Sequence, residues 1–268
     1  MFKPKLGIQL YTLRDCCKTP EDFDKTLARL AAMGVKDVQI SAIGDFPAET
    51  QREILDRHGM AVCVTHKGLD LIENETDRMI AEHKIIGCDA LGLGWSPEDR
   101  RDTLAHAQAF AAEINRIAGK LAANGMTFHY HNHDFEFAPL PDGDGRCFYD
   151  VLVGETDPAT VKFIPDVMWM HYAGQDPVDW LYRLRGRVKV LHFKDYVPTG
   201  APENGRPGKR FVSLGQGVVD LPGLYRAACE TEIPFIVYEQ DNDWTDGDPF
   251  KATEESWAYM QALAASAE

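Results

Sequence analysis

Four residues at the ends of apolar runs, His131, Asp166, His192 and Glu239, are of types that do chemistry. They close the segments Phe128-His-Tyr-His131, Phe163-Ile-Pro-Asp166, Val190-Leu-His192 and Ile236-Val-Tyr-Glu239. Brought to one point, two imidazoles and two carboxylates offer mixed nitrogen and oxygen donors. That set suits one divalent ion of Mn, Co, Zn or Fe, and suits Mg less, since Mg takes oxygen ligands. Any one of the four alone reads as a hydrogen-bonded loop residue. Four together, buried without a cation, would be costly.

The run before His131 holds more. Strand alternation puts His129, His131 and His133 on one face, with Tyr130 and Asn132 on the other. Depth makes His131 the ligand candidate, His133 a group able to reach a substrate, and His129 a core histidine. His66, with Lys67 beside it, follows another apolar run and is a further pocket candidate. Gln9 and Tyr11 close the first run, with Arg14 one turn on.

These residues need a frame that aligns strand ends. The runs Leu6–Leu10, Val38–Ile40, Ala61–Thr65, Ala90–Leu93, Thr127–His131, Val161–Asp166, Val188–His192 and Phe235–Glu239 are short and rich in Val, Ile, Leu and Phe. They read as parallel strands covered on both faces. Helical patterns separate them. Phe23, Leu27, Leu30 and Ala31 recur at helical spacing before Gly34, and Ile54 and Leu55 precede His58-Gly59. Leu104–Leu121 forms a long Ala-rich helix, Pro222–Cys229 another, and a last helix runs from about Pro249 to Ala264. Strict alternation predicts a closed (β/α)8 TIM barrel, a single domain over residues 1–268. Converging strand ends at its carboxyl face would make one site of the four residues. The open dinucleotide-binding sheet lacks its fingerprint, because Gly92-Leu-Gly94 has no third glycine in place. The Gly/Pro-rich stretches Pro139–Gly145 and Pro198–Gly217 read as βα loops, on the side where binding groups collect.

Composition excludes whole classes. The 268 residues carry 28 Lys+Arg against 42 Asp+Glu, a formal net charge of −14. An acidic surface repels phosphate backbones, so no nucleic-acid partner is expected. No run approaches the ~18 apolar residues of a membrane span, and no signal-peptide pattern opens the chain, so a cytoplasmic protein is expected. The six cysteines show no C-x-x-C spacing and are expected as reduced thiols. No G-x-S-x-G elbow or phosphate-binding P-loop occurs. Gly215-Gln-Gly217 reads first as a tight turn, and second as an anion cradle of backbone N–H groups.

The sequence resembles the sugar phosphate isomerase/epimerase family of xylose isomerase-like barrels. The likeness rests on Gly7-Ile-Gln-Leu-Tyr-Thr-Leu-Arg14, His131-Asn-His-Asp-Phe-Glu-Phe137, Asp166-Val-Met-Trp169, His192-Phe-Lys-Asp195, Gly215-Gln-Gly217 and Tyr238-Glu-Gln-Asp241. It implies a divalent metal held by His131, Asp166, His192 and Glu239. Two departures stand out. Many members have Glu in place of His131, and many have His where this chain has Trp169. The family's sugar epimerases exchange a proton between two metal-bound glutamates, and only Glu239 of that pair remains here.

The resemblance therefore implies a metal-dependent isomerase or epimerase that abstracts a proton next to the carbonyl of a keto or aldo sugar or derivative. Glu239 is the expected base. Its partner is His133, His66, or Glu136 if that loop curls inward. Lys194 is the candidate to stabilise an oxyanion. Tyr11 and Trp169 are candidates to stack on a sugar ring, with core burial the competing reading of Trp169. Asp241 could orient a ligand from behind. A dehydratase or lyase on a keto sugar, inosose or 3-keto-glycoside starts with the same abstraction and is the alternative. A non-catalytic sugar-binding module is a further one. The partner is then a small-molecule sugar, and pairing of barrels through exposed loops would give a homo-oligomer.

Overall fold

The computed structural model describes residues 2–142, 144–203 and 206–266. Eight parallel strands form one sheet: β1 Lys5–Gln9, β2 Asp37–Ile40, β3 Ala61–Lys67, β4 Ala90–Leu93, β5 Thr127–His131, β6 Val161–Ile164, β7 Val190–Phe193 and β10 Phe235–Tyr238. β1 to β6 pair in sequence order, with a register shift between β2 and β3 at Val38 and Gln39, and β1 pairs with β10, which pairs with β7. Between β6 and β7 the ladder thins to two bridges, Phe163 with Val188 and Asp166 with His192. Backbone bonds from Phe163 N–H to Arg187 O at 2.8 Å and from His192 N–H to Pro165 O at 2.9 Å close the barrel there.

The helices α1 Pro20–Ala32, α2 Ala48–Arg57, α3 Leu69–Asn74, α4 Thr76–Ile86, α5 Leu104–Ala122, α6 Phe148–Glu155, α7 Val167–Tyr172, α8 Pro177–Arg183, α9 Leu221–Glu230 and α10 Pro249–Ser266 surround it. Their local reasons are visible in the chain. Thr19 caps α1 by accepting from Asp22 N–H, and Pro20 at the first turn needs no donor of its own. Gly34 ends the turn at φ 88°, a conformation that glycine adopts without penalty. In α5 the buried Ala107, Phe110, Ala111, Ile114, Ile117, Ala118 and Leu121 form one stripe facing the sheet.

Several features differ from the sequence reading, most strand ends by one or two residues. β6 stops at Ile164 and β10 at Tyr238, so Asp166 and Glu239 lie just beyond their strands, while His192 is inside β7. Between β3 and β4 there are two helices. Most of Pro198–Gly217, expected as loop, belongs to an antiparallel hairpin of β8 Asp195–Glu203 and β9 Arg206–Val212, with residues 204 and 205 outside the described set. Pro139–Gly145, of which residue 143 lies outside that set, is irregular, with Pro139 bridged to Cys147. All six cysteines are free thiols. Cys17 is buried, and that burial pushes its pKa up to about 12.

Candidate active site

Each of the four strand-end residues is turned inward by a specific bond. Asp166 caps α7: its Oδ1 accepts from Met168 N–H at 3.0 Å and Trp169 N–H at 3.1 Å, which leaves Oδ2 for the site. The His131 Nδ1–H donates to Gly94 O at 3.0 Å, so Nε2 carries the lone pair. His192 points Nε2 at Gln39 Oε1, 2.7 Å away, and Nδ1 at Glu239 Oε2, 2.9 Å away. The Glu239 backbone N–H donates to Phe193 O at 3.0 Å, extending the β7–β10 pairing by one residue.

Their donor atoms all lie within 4.8 Å of one another. His131 Nε2 is 3.5 Å from Asp166 Oδ2 and 3.9 Å from Glu239 Oε2, and His192 Nδ1 is 4.0 Å from Asp166 Oδ2. One of the atoms, His131 Nε2, is buried and makes no hydrogen bond, and Asp166 Oδ2 meets the Lys194 ammonium alone. Native interiors rarely leave such a nitrogen unsatisfied without a water or ion. A divalent cation fits this group on both counts.

Lys194 completes the cluster. Only 1% exposed, it places Nζ 3.0 Å from Asp166 Oδ2, 3.1 Å from Glu239 Oε2 and 3.0 Å from Asp241 Oδ1. Burial opposes ionisation of Asp166, but Lys194 and His131 outweigh it and bring its pKa to about 2. Burial acts against the Glu239 charge as well, and Lys194 and His192 overcome it, holding that carboxyl well below its ordinary range. Burial disfavours the charged form of His131, yet the carboxylates of Asp166 and Glu239 raise its pKa. His66 and His133 are pushed well below their usual value, first by burial and then by the histidines nearby, so both are neutral at pH 7.

The cluster meets a cavity of ≈ 430 Å³ through His131, Glu239 and Lys194, a volume within the range of small-molecule sites. His131, Glu239, His66, His133, Lys194, Tyr11 and Asp241 line it. Other candidates sit elsewhere. Gln9 is buried, its Oε1 accepting from Tyr11 N–H, and Arg14 stands behind Tyr11, donating to Asp241 O at 2.9 Å. Trp169 packs edge-on against Phe211 of the hairpin, and Lys194 lies over its ring at 5.5 Å. Glu136 is turned away from the cavity. Its Oε1 meets Tyr130 Oη and its Oε2 accepts from His133 N–H, each at 2.8 Å, so it braces the β5 loop from behind. His129 is buried against Thr127 Oγ1 at 2.9 Å.

The Gly215–Gly217 turn already holds an anion of its own. Asp195 Oδ2 accepts from Gly215 N–H at 3.1 Å and Gly217 N–H at 2.9 Å, and its Oδ1 accepts from Val219 N–H at 3.1 Å. A Cβ on Gly217 would stand 2.2 Å from Asp195 Oδ1, so only glycine fits there.

A model of xylose isomerase-like TIM barrels matches residues 27–263. The chain belongs to this family. Among curated relatives, the inosose dehydratase of Lacticaseibacillus casei is 25% identical over 168 residues, covering 58% of this chain and 54% of that protein. The chain thus spans about half the length of that relative. Among solved structures, a sugar phosphate isomerase/epimerase from Parabacteroides distasonis superposes with a TM-score of 0.83 at 23% identity, over 98% of this chain and 97% of the other. A xylose isomerase-like TIM barrel protein from Mycobacterium smegmatis in complex with magnesium gives 0.73 at 14% identity, over 100% and 99%.

Within this xylose isomerase-like barrel, two features of the site escaped the sequence reading. Trp95, 57% exposed, stands at the cavity lip, where nothing in its spacing marks it. Gln39 joins His192 to His66, its Nε2 lying 2.8 Å from His66 Nε2. Among the described residues, no helix is long and apolar enough to cross a membrane.

Proposed function

We propose that this barrel is a metal-dependent enzyme that abstracts a proton next to the carbonyl of a keto sugar or cyclic polyol ketone and then expels a β-oxygen, making it a dehydratase or lyase. One observation carries the second half. Glu239 is the sole glutamate lining the cavity among the described residues, Glu136 being locked behind Tyr130, and the other carboxylate on the wall, Asp241, is paired with the Lys194 ammonium at 3.0 Å. Epimerisation by exchange between two glutamates needs one on each face, whereas elimination can be run by one carboxyl that takes the α-proton and then returns it to the departing oxygen.

His131, Asp166, His192 and Glu239 would hold the ion. When bound, such an ion supplies positive charge that favours an enolate over the ketone. The chain's own groups do the rest. The contacts of Glu239 with His192, Lys194 and His131 all run through Oε2, which leaves Oε1 to take the proton. Lys194 keeps that carboxylate ionised and faces developing negative charge on oxygen. His133, on the cavity wall and stacked on Phe135, is placed as a neutral N–H group to hydrogen-bond the departing oxygen, which takes the proton that Glu239 has abstracted. Trp95 and Tyr11 offer ring faces to the apolar side of a sugar.

The donor set of two imidazoles and two carboxylates suits Mn, Co, Zn or Fe, and the magnesium-bound relative keeps Mg2+ among the ions to assay. Phosphate sites in TIM barrels commonly use the loops after the last two strands. Asp195 fills that cradle here, which supports an unphosphorylated substrate.

Incubation of metal-loaded protein with keto sugars, inososes and 3-keto-glycosides in deuterated water tests the reading. Loss of water or of the glycosidic alcohol supports elimination. Deuterium incorporation at unchanged product mass, apart from the label, would establish isomerisation or epimerisation instead. Tight sugar binding without exchange or product under any metal would leave a binding module.

A further inference from the structure

Gln39 lies on β2, fully buried, between a ligand candidate and a cavity histidine. Its amide has one end that only accepts and one end that only donates. This asymmetry makes the protonation of its two neighbours interdependent. To serve as a ligand beside Asp166 and Glu239, His192 must keep Nδ1 unprotonated, so its proton sits on Nε2. That Nε2–H faces Gln39 at 2.7 Å and fixes Oε1 on that side. The amide NH2 is then aimed at His66 Nε2, 2.8 Å away, which must accept. A neutral imidazole that accepts at Nε2 carries its proton on Nδ1.

The geometry points to Gln39 as a positioning residue that transmits the demand of the metal centre from His192 to His66, fixing His66 as a neutral Nδ1–H donor towards the substrate. The inference rests on the metal-centre reading above. His66 lines the cavity, and its Nδ1 makes no hydrogen bond to another described residue. Its ring is held at centroid distances of 5.2 Å from His131 and 5.8 Å from His192. Two glycines on the β4 side leave room for it. A Cβ on Gly92 would stand 2.9 Å from His66 Cδ2, and one on Gly94 would stand 3.2 Å from His66 Nδ1. A neutral N–H donor of this kind stabilises charge that develops on a carbonyl oxygen without giving up its own proton.

Long-range 1H–15N NMR of protein labelled at histidine nitrogen, titrated with Zn2+ alone, reads the tautomers directly. In the wild type, Zn2+ should shift His192 Nδ1, and His66 should report Nδ1–H. In Gln39→Glu the carboxylate accepts from both rings. His192 should still bind Zn2+, His66 should switch to Nε2–H, and turnover should fall about 100-fold, the loss expected for one oxyanion donor. A wild type in which Zn2+ engages His192 while His66 carries its proton on Nε2 would overturn the relay and spare the metal reading. A wild type in which no histidine responds to Zn2+ would overturn both. The wild-type spectrum decides between these even if the variant does not fold.

Discussion

Lys194 Nζ lies 3.0 Å from Asp166 Oδ2 and 3.1 Å from Glu239 Oε2, the two carboxylate oxygens that a divalent ion at this site would use. The ammonium therefore balances charge that a metal would also balance. Asp241, 3.0 Å from the same Nζ, gives the lysine a carboxylate to keep when it yields the other two.

Lys194→Met should separate the two cations. Without metal, the variant leaves buried carboxylates uncompensated and should lose about 3–5 kcal/mol of stability. With metal, the competitor is gone, so Mn2+ should raise its melting temperature by more than it raises that of the wild type. Thermal unfolding with and without Mn2+ checks this. Equal increments in both proteins would show that Lys194 does not compete for the site.

The carboxyls give opposite pH signatures. Asp166 has its pKa lowered from 3.8 to about 2, so its contribution is complete above pH 3.8 and is lost as pH falls towards 2. Glu136 is raised from 4.5 to about 7 by burial, against its bonds to Tyr130 and His133. Its folded form keeps a proton that the unfolded chain releases. Stability is thus fully present below pH 4.5 and declines through pH 7, by about 3 kcal/mol. Glu136→Gln imitates the protonated acid, with its NH2 donating to Tyr130 Oη and its carbonyl accepting from His133 N–H. Urea unfolding at pH 5 and pH 8 should show that decline in the wild type and not in the variant. The same decline in both would assign it to another group.

Periodicity made the barrel legible: short apolar runs, helical stripes and stop glycines such as Gly34 are local signals. The hairpin of Asp195–Val212 was not, because Pro198, Pro202 and Pro207 argue against a strand in a sheet interior. In a two-stranded ribbon both strands are edges, so these prolines are tolerated. Asp166 looked like a strand end because its residue type is the same whether it closes a strand or caps a helix. Glu136 looked like a pocket acid because its captor, Tyr130, faces away from the cavity six residues earlier. Gln39 carried no signal at all, since its meaning arises from His192, 153 residues away across the barrel.

Asp195→Ala tests the internal anion. It removes the acceptor for the N–H groups of Tyr196, Gly215, Gly217 and Val219. Charged hydrogen bonds of this kind contribute about 1.5–3 kcal/mol each, and water recovers part of the loss in an opened turn. A net destabilisation of about 3 kcal/mol is expected in denaturant titration, with turnover of the folded fraction retained. An unchanged midpoint would mean that the turn holds its shape without the carboxylate.

Glu239 is asked to be both ligand and base, and metal removal alone cannot tell these roles apart. Elemental analysis should find close to one divalent ion per chain in the wild type, reduced sharply in His131→Ala, Asp166→Ala and His192→Ala, each of which removes a donor atom from the cluster. Glu239→Gln keeps an oxygen donor and lacks the basic carboxylate. At saturating Mn2+ it should therefore recover metal while proton abstraction, followed as deuterium exchange next to the substrate carbonyl, stays slower by about 10³-fold, within the span typical of a lost general base. Exchange restored to the wild-type rate once metal is restored would make Glu239 a ligand only and move the base to another wall of the cavity.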